Sequence, residues 1–401
     1  MPLKRVYAFL FVLLVFLLAG ALPLPAQTLR GVKAIAASSE PSLALLSDGT
    51  VWAWGHNESR QLGDGVPARP VQVAEVSGVR KIAAGASHSL ALKDDGTVWA
   101  WGDNSCGQLG DGTRTAGILA GRARPMPVSG LPRVAAIAGG TIYSVAVTDD
   151  GAVWRWGDND WTVETSPVRL SRLAGVVSVS AGYGYNLATE ADGSLWNWGQ
   201  GLAPQLEPAP LIGASDVAAT ATALGRNVAL KRDGTVWEWG FWGATPEPVS
   251  GLSEVVAVGV GCHDWWISCH ALALKRDGTV WAWGSNDAGQ LGDGTTIDRK
   301  TPVQVSGLND VVAIAARTDG TPQNLAVKSD GTVWEWPTAE RSTPLQVAGL
   351  SDVVAVAEGL AHSLALTHDG SVWAWGSNDH GQLGVETIRT TPVQVVGPVM
   401  E

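Results

Sequence analysis

Phenylalanine and tyrosine are nearly missing from this chain, with four of each in 401 residues. Three of the four phenylalanines (Phe9, Phe11 and Phe16) lie in the first sixteen positions, so something else must fill the core. Positive charge is short as well. Twenty-seven basic residues against 38 acidic ones leave a net charge of −11, which excludes the basic footprint that nucleic acid requires. Beyond the first residues no stretch has sustained helical periodicity, and this excludes a helical bundle or an α/β sheet. Neither a G-x-S-x-G elbow nor a G-x-x-x-x-G-K-[ST] phosphate loop occurs, so the familiar hydrolase and nucleotide signatures are absent. What the chain has in quantity is glycine (49), tryptophan (20) and a 45% hydrophobic fraction, ordinary for a folded protein and too high for disorder.

The N-terminus has its own grammar. Lys4 and Arg5 precede an apolar run from Val6 to Leu18, which passes through small residues to Pro25-Ala26 and then the polar Gln27-Thr28. That order reads as a secretory signal peptide over residues 1–26, cleaved after Ala26. The competing reading is an uncleaved membrane anchor, for which the run is near the lower length limit. Cleavage removes two basic and no acidic residues, moving −11 to −13. The expected location is secreted or periplasmic, with membrane contact only during export.

One phrase recurs eight times in residues 27–401. It appears as Asp48-Gly49-Thr50-Val51-Trp52-Ala53-Trp54-Gly55, and its Asp-Gly returns at Asp95, Asp150, Asp192, Asp233, Asp277, Asp330 and Asp369, each followed by a Trp-x-Trp pair. Sixteen of the twenty tryptophans are used in this way, leaving Trp161, Trp242, Trp265 and Trp266. Spacings of 39 to 55 residues between the Asp-Gly glycines signal a propeller or solenoid. The units run approximately over 32–78, 79–133, 134–175, 176–216, 217–254, 255–310, 311–352 and 353–399. Each reads as four short strands, in the last unit Val353–Ala357, Ser363–Leu366, Val372–Trp375 and Pro392–Val395. Asp-Gly between the second and third is a tight hairpin signal. The fold class is therefore all-β, a single propeller of eight four-stranded blades, with seven blades as the runner-up. Alternation along a strand puts both indoles of a Trp-x-Trp pair on one face. They are expected to pack on Ala and Gly of the next blade's first strands. Full burial of an indole is worth on the order of 4–6 kcal/mol before entropy.

These phrases resemble the RCC1 (regulator of chromosome condensation) repeat family. The likeness rests on Gly-x-x-His-Ser-Leu-Ala-Leu (Gly85–Leu92, Gly359–Leu366), on the Asp-Gly-Thr-Val-Trp-Ala-Trp-Gly hairpin, and on Gly-Gln-Leu-Gly at Gly107, Gly289 and Gly381, with Gln61-Leu62-Gly63 as a partial copy. The resemblance implies a propeller that usually closes with seven blades, whereas eight hairpins are countable here. Units 3, 4, 5 and 7 lack Gly-Gln-Leu-Gly, and unit 7 has Pro337 where the others have Gly. The family's nuclear member binds chromatin and exchanges nucleotide on a small GTPase, activities that an exported acidic chain is not expected to share. The secreted bacterial branch, which includes a Trp-rich inhibitor of β-lactamases acting through loops on one face, is the closer likeness.

Chemistry outside the repeat is sparse. Cys262 and Cys269 bracket an insertion in the sixth unit and are expected to form a disulfide in an oxidising compartment. Zinc held by Cys262, Cys269, His263 and His270 is the alternative, at a spacing that matches no familiar site. Cys106 is left over, free or paired between chains. His88, His270 and His362 share one repeat position, where a hydrogen-bonding role is more usual than a catalytic one. Asp111 and Asp293, in Gly-Gln-Leu-Gly-Asp-Gly, read as turns rather than calcium loops. No catalytic residue, cofactor or metal is assigned. The expected function is a non-enzymatic scaffold for an extracytoplasmic protein or peptide, with no nucleic-acid partner. The alternative is an enzyme or carbohydrate-binding propeller whose site converges from several blades. Loops after the first and third strands share one side, gathering Trp161, Trp242, Trp265, Trp266, Tyr143, Tyr185, Arg226, His88, His270 and His362 as candidate ligand-binding residues.

Overall fold

The computed structural model describes residues 28–39, 41–62, 69–115, 121–158, 162–182, 184–199, 207–223, 226–240, 245–263, 268–318, 321–337, 341–385 and 389–396. They form eight sheets of four consecutive antiparallel strands, and no helix occurs among them. In blade 1 the strands are Val32–Ala37, Pro41–Leu46, Val51–Gly55 and Val71–Gln72. In blade 8 they are Val353–Glu358, His362–Thr367, Val372–Gly376 and Arg389–Gln394. The first strand of each blade touches that of the next, and blade 8 touches blade 1, so eight first strands surround a central axis. The eight-blade expectation holds.

Local chemistry explains the hairpins. Gly49 has φ +81°, a region open to glycine, and its O accepts from Val79 N–H in the next blade's first strand (3.0 Å). Asp48 Oδ1 accepts from both Thr50 N–H (2.9 Å) and Thr50 Oγ1 (2.7 Å). These bonds favour the ionised carboxyl and hold Asp48 below its ordinary value. Every blade has its Asp-Gly turn on the same side of the ring, by the alternation of antiparallel strands.

The indoles pack the other way round from the sequence expectation. Trp101 of blade 2 lies against Leu43, Leu45, Ala53 and Leu62 of blade 1, and Trp54 lies against Leu364, Ala374 and Leu383 of blade 8. Each pair therefore faces the preceding blade, and meets its second- and third-strand residues more than the alanines of a first strand. The physical reason is register. Ala44 pairs with Trp52 and Leu43 with Ala53, so each blade sends its indoles one way and its leucines the other. The second indole of a pair is the more deeply buried one, as at Trp54, Trp101, Trp283 and Trp336, all with no exposed surface.

A buried indole N–H needs an acceptor. In four blades it comes from the preceding Gln-Leu-Gly turn: Gln382 O for Trp54, Gln61 O for Trp101, Gln108 O for Trp156 and Gln290 O for Trp336, at 2.8–3.1 Å. The leucine of that turn packs beside the alanine between the two indoles, as Leu62 does beside Ala53. Units 3, 4, 5 and 7 lack the turn, and there the middle residue is Arg155, Asn197, Glu238 or Glu335 instead of alanine. Glu238 Oε2 accepts from Trp283 Nε1 (2.7 Å) and Glu335 Oε2 from Trp375 Nε1 (3.0 Å). Asn197 donates to Tyr185 Oη, which accepts from Trp239 Nε1 (3.0 Å). In blades 4, 5 and 7 a polar side chain thus takes over from the missing turn.

The ring closes without exchanging a strand. Between blades an apolar residue sits three places before each new first strand, as Leu173, Leu252, Leu308 and Leu350 do. For blade 1 that residue is Leu29, 4% exposed and packed on Leu383 and Val395 of blade 8. Leu29 N–H donates to Val395 O (3.1 Å), as Ala214 N–H donates to Leu211 O (3.2 Å) within the continuous chain. Thr28 pairs with Val396, and Val32 N–H reaches Gly370 O (3.2 Å). One inter-blade connection is simply cut between the two ends of the chain. Intact blades abut, and neither end lends a strand to the other's blade.

Candidate binding face

The side opposite the Asp-Gly turns carries the connections after the first and third strands of every blade. Beneath it runs a ring of polar bonds made by the residues that open the second strands. His88 Nε2 donates to Ser144 Oγ of the next blade (2.9 Å), whose hydroxyl in turn donates a hydrogen bond to Gln108 O (2.9 Å). His270 Nε2 meets Asn324 Oδ1 (2.6 Å), whose amide donates to Gln290 O (3.0 Å). His362 Nε2 meets Ser42 Oγ across the ring closure (2.8 Å). Tyr143 Oη donates to Gly182 O (2.9 Å). Arg226 donates to Cys269 O (3.1 Å) and Trp283 O (3.2 Å), and pairs with Glu238 (3.2 Å). These candidates are brought together as bolts from one blade to the next. All three histidines have no exposed surface, and Tyr143 and Tyr185 are buried. Trp161, Trp242, Trp265 and Trp266 lie outside the described residues.

Burial sets the imidazoles' charge. Desolvation lowers His88 to about 4 and His362 to about 3, with Arg317 adding repulsion at His362. A folded-state pKa below the unfolded value near 6.5 means that the unfolded chain binds more protons between those pH values. Stability is therefore expected to fall as pH drops from about 6.5 towards 4. In chemical denaturation across that window, the double variant H88Q/H362Q should show a flatter slope than the parent. An unchanged slope would show that neither imidazole is the source.

At the axis most first strands end in small residues, such as Ala37, Ala84, Gly139, Ala181 and Ala316. Glycine stands where the ring of the second-strand opener folds back: a Cβ on Gly85, Gly140 or Gly359 would come within 2.1–2.3 Å of His88, Tyr143 or His362. In blade 7 Arg317 takes the place of that glycine, and it pairs at 2.7 Å with Glu358, which ends the first strand of blade 8 just before Gly359; the two side chains are only 3% and 4% exposed. Arg317 also donates to Thr321 Oγ1 (3.0 Å), and Ser363 Oγ donates to Glu358 Oε2 (3.1 Å). Burial, opposed by Arg317, pushes Glu358 up to about 7. Nearby, Ser38, Ser39, Thr141, Thr222 and Thr318 contribute to an axial cavity of about 140 Å³.

Blade 6 stands out on this face. Its first two strands, Val255–His263 and Ser268–Lys275, have nine and eight residues, against six each in blades 1, 2 and 8. The extension pairs Cys262 with Cys269 and His263 with Ser268, and the two cysteines form a disulfide. That bond excludes them as zinc thiolates, and His270 is turned to Asn324 instead. Cys106 carries no disulfide; burial raises its thiol pKa. Asp111 and Asp293 are engaged as turn residues, paired with Arg122 (2.7 Å) and Arg299 (3.0 Å) and accepting from Thr113 and Thr295. The sequence reading missed the Arg317–Glu358 pair and the glutamates between indoles. Both were visible as breaks in an alignment of the eight units against one another.

Comparison with known proteins places the repeat. The regulator of chromosome condensation (RCC1) repeat matches residues 32–61, 79–108 and 353–382 in one form, and 48–92, 95–147, 277–318 and 369–400 in another. No curated protein matches the sequence. Among solved structures, yeast RCC1 (Prp20) bound by Kap60 aligns at 20% identity and a TM-score of 0.57, over 90% of this chain and 85% of that one. Prp20p of Saccharomyces cerevisiae, described with its binding to Gsp1p and histones, gives 19% and 0.59, over 88% and 87%. Human WBSCR16 gives 21% and 0.58, over 87% and 94%. At such identities the likeness is one of fold.

Proposed function

For this array of RCC1 repeats, we propose a non-enzymatic scaffold that binds a protein or peptide outside the cytoplasm through the loop-bearing face. The observation that carries the reading is the extended, disulfide-braced hairpin of blade 6. It lengthens one pair of strands on that face, and the Cys262–Cys269 disulfide ties the two strands together near their ends. A preorganised element binds at lower entropic cost. Residues 264–267, which include Trp265 and Trp266, connect its strands, and tryptophan is a common anchor in interfaces. Disulfides persist in oxidising compartments, which fits export by residues 1–26.

The histidines, tyrosines and Arg226 first considered as binders support the face from below, so recognition falls to the connections above them. Partners of Prp20p include proteins, and protein binding is the part of that likeness we carry over. The histone-binding part sits poorly with an exported scaffold. The test is capture from the native secretome with chains beginning at Gln27. Variants W265A/W266A and C262S/C269S should lose the captured partner, with affinity down at least about tenfold, more than 1 kcal/mol. Loss of binding from changes at the Asp-Gly turns, with the hairpin variants unaffected, would place the site on the other face. A mature N-terminus at Gln27 by mass spectrometry supports export; an intact Met1 in a cytosolic fraction would refute it.

A further inference from the structure

The eight Asp-Gly turns are alike in sequence, but the grooves between them differ. In blades 2, 5, 6 and 7 the second strand ends in a lysine whose Nζ lies over the first indole of the same blade. Lys93 sits 5.4 Å from the Trp99 ring centroid, Lys231 4.2 Å from Trp237, Lys275 6.0 Å from Trp281 and Lys328 5.8 Å from Trp334. The ring's negative face attracts the ammonium, and the turn carboxylate adds to it, as Asp277 does beside Lys275 (3.7 Å). The frame thus contains a cation seat with an indole floor and a carboxylate wall. In four blades the protein's own side chain fills it.

Blade 8 keeps the floor and the wall and lacks the cation. Trp373 and Asp369 are present, but Thr367 replaces the lysine and spends its hydroxyl on Asp369 (2.7 Å) and Ser371 O (3.0 Å). A groove of about 860 Å³ opens here between blades 7 and 8, lined by Trp373 and by Asp330, Asp352 and Asp369, with Lys328 as the single lysine or arginine in its wall. Arg30, across the ring closure, is a further cation near Asp369. Two other grooves are strapped. Arg133 crosses between blades 2 and 3 to Asp94 O (3.0 Å) and Asp95 O (2.8 Å), and Arg232 crosses between blades 4 and 5 to Ala191 O (3.2 Å). At the two corresponding positions blade 8 has Asp352 and His368. Blades 1, 3 and 4 also lack the lysine, with Leu46, Thr148 and Glu190 at its position; blade 1 buries Trp52, and Arg133 straps the groove beside blade 3.

We propose that the groove between blades 7 and 8 binds an organic ammonium ion, seated over Trp373 as lysine is seated over the indole in the sister blades. Its volume suits a small ligand or one side chain of a larger one. The test is calorimetric titration of the chain from Gln27 with n-butylammonium and choline, each beside its uncharged isostere, 1-butanol and 3,3-dimethylbutanol. Both cations should bind at least about tenfold more tightly than their isosteres. Tighter n-butylammonium points to a lysine side chain as the natural ligand, and tighter choline to a quaternary headgroup. T367K should supply the missing lysine, keep the melting temperature and abolish ammonium binding. D352N keeps a residue type that tolerates the φ of +56° at this position and should weaken binding several-fold, which provides a second check if T367K does not fold. Equal binding of cation and isostere, no binding of either, or unchanged binding to both variants would overturn the proposal.

Discussion

Replacing Leu29 by alanine is expected to cost about 2–5 kcal/mol, the range for removing a fully packed leucine. The larger consequence is where the loss appears. Seven inter-blade connections are covalent, so a weakened contact there is held in place by the chain. The eighth rests on Leu29, the 3.1 Å bond to Val395 O, the Thr28–Val396 bridge and the Val32–Gly370 bond. In L29A, hydrogen exchange should therefore quicken first in blades 1 and 8 while blades 4 and 5 stay protected. The variant L308A removes an equivalent residue from a continuous connection and should show no such pattern at the ring closure. Uniform quickening around the ring in L29A would mean that closure is not the weak point.

The second large effect is expected at Arg317. Substituting methionine leaves Glu358 buried without its partner, and breaking a buried pair in this way costs about 3–5 kcal/mol. The sign of the pH dependence follows from Glu358. Its folded-state pKa, already raised by burial, rises further once Arg317 is gone. A carboxyl raised above its unfolded value near 4.5 binds its proton better in the folded chain, so stability is greatest below that value and falls as pH increases through the folded one. R317M should accordingly lose least near pH 5 and most near pH 8, read from denaturation midpoints. The double variant R317M/E358L removes both charges and should recover most of the loss. If R317M were equally destabilised at pH 5 and pH 8, Glu358 would not be the group responsible.

Blade number, strand order and the Asp-Gly hairpins were legible in the sequence because the information repeats. Eight copies of Asp-Gly followed by Trp-x-Trp impose the same turn, the same alternation and the same burial eight times over. A preference that is weak in one copy becomes strong in register. The disulfide was legible too, since Cys262 and Cys269 are close in the chain. What the sequence alone did not decide was direction. Trp101 faces back towards blade 1 because of sheet register, and the alternation of side chains says only that both indoles share a face. The role of His88, His270 and His362 was half visible: repetition marks them as structural, but their acceptors Ser144, Asn324 and Ser42 belong to the next blade.

Tertiary structure decided the features that depend on one blade differing from its neighbours. Arg317 and Glu358 stand 41 residues apart in the chain and become a pair only because their first strands meet at the axis. Glu238 and Glu335 look like exposed charges in a Trp-Glu-Trp phrase until the missing turn of the same blade opens the space that each fills. Thr367 is one of four departures from lysine at its repeat position; only the groove beside it shows an indole and three carboxylates without the cation that blades 2, 5, 6 and 7 seat over theirs. The periodic part of the sequence determined the frame, since hydrophobic burial and turn geometry act locally and identically in every unit. The departures from the period acquire their chemistry across blade boundaries, where contact is set by closure of the ring.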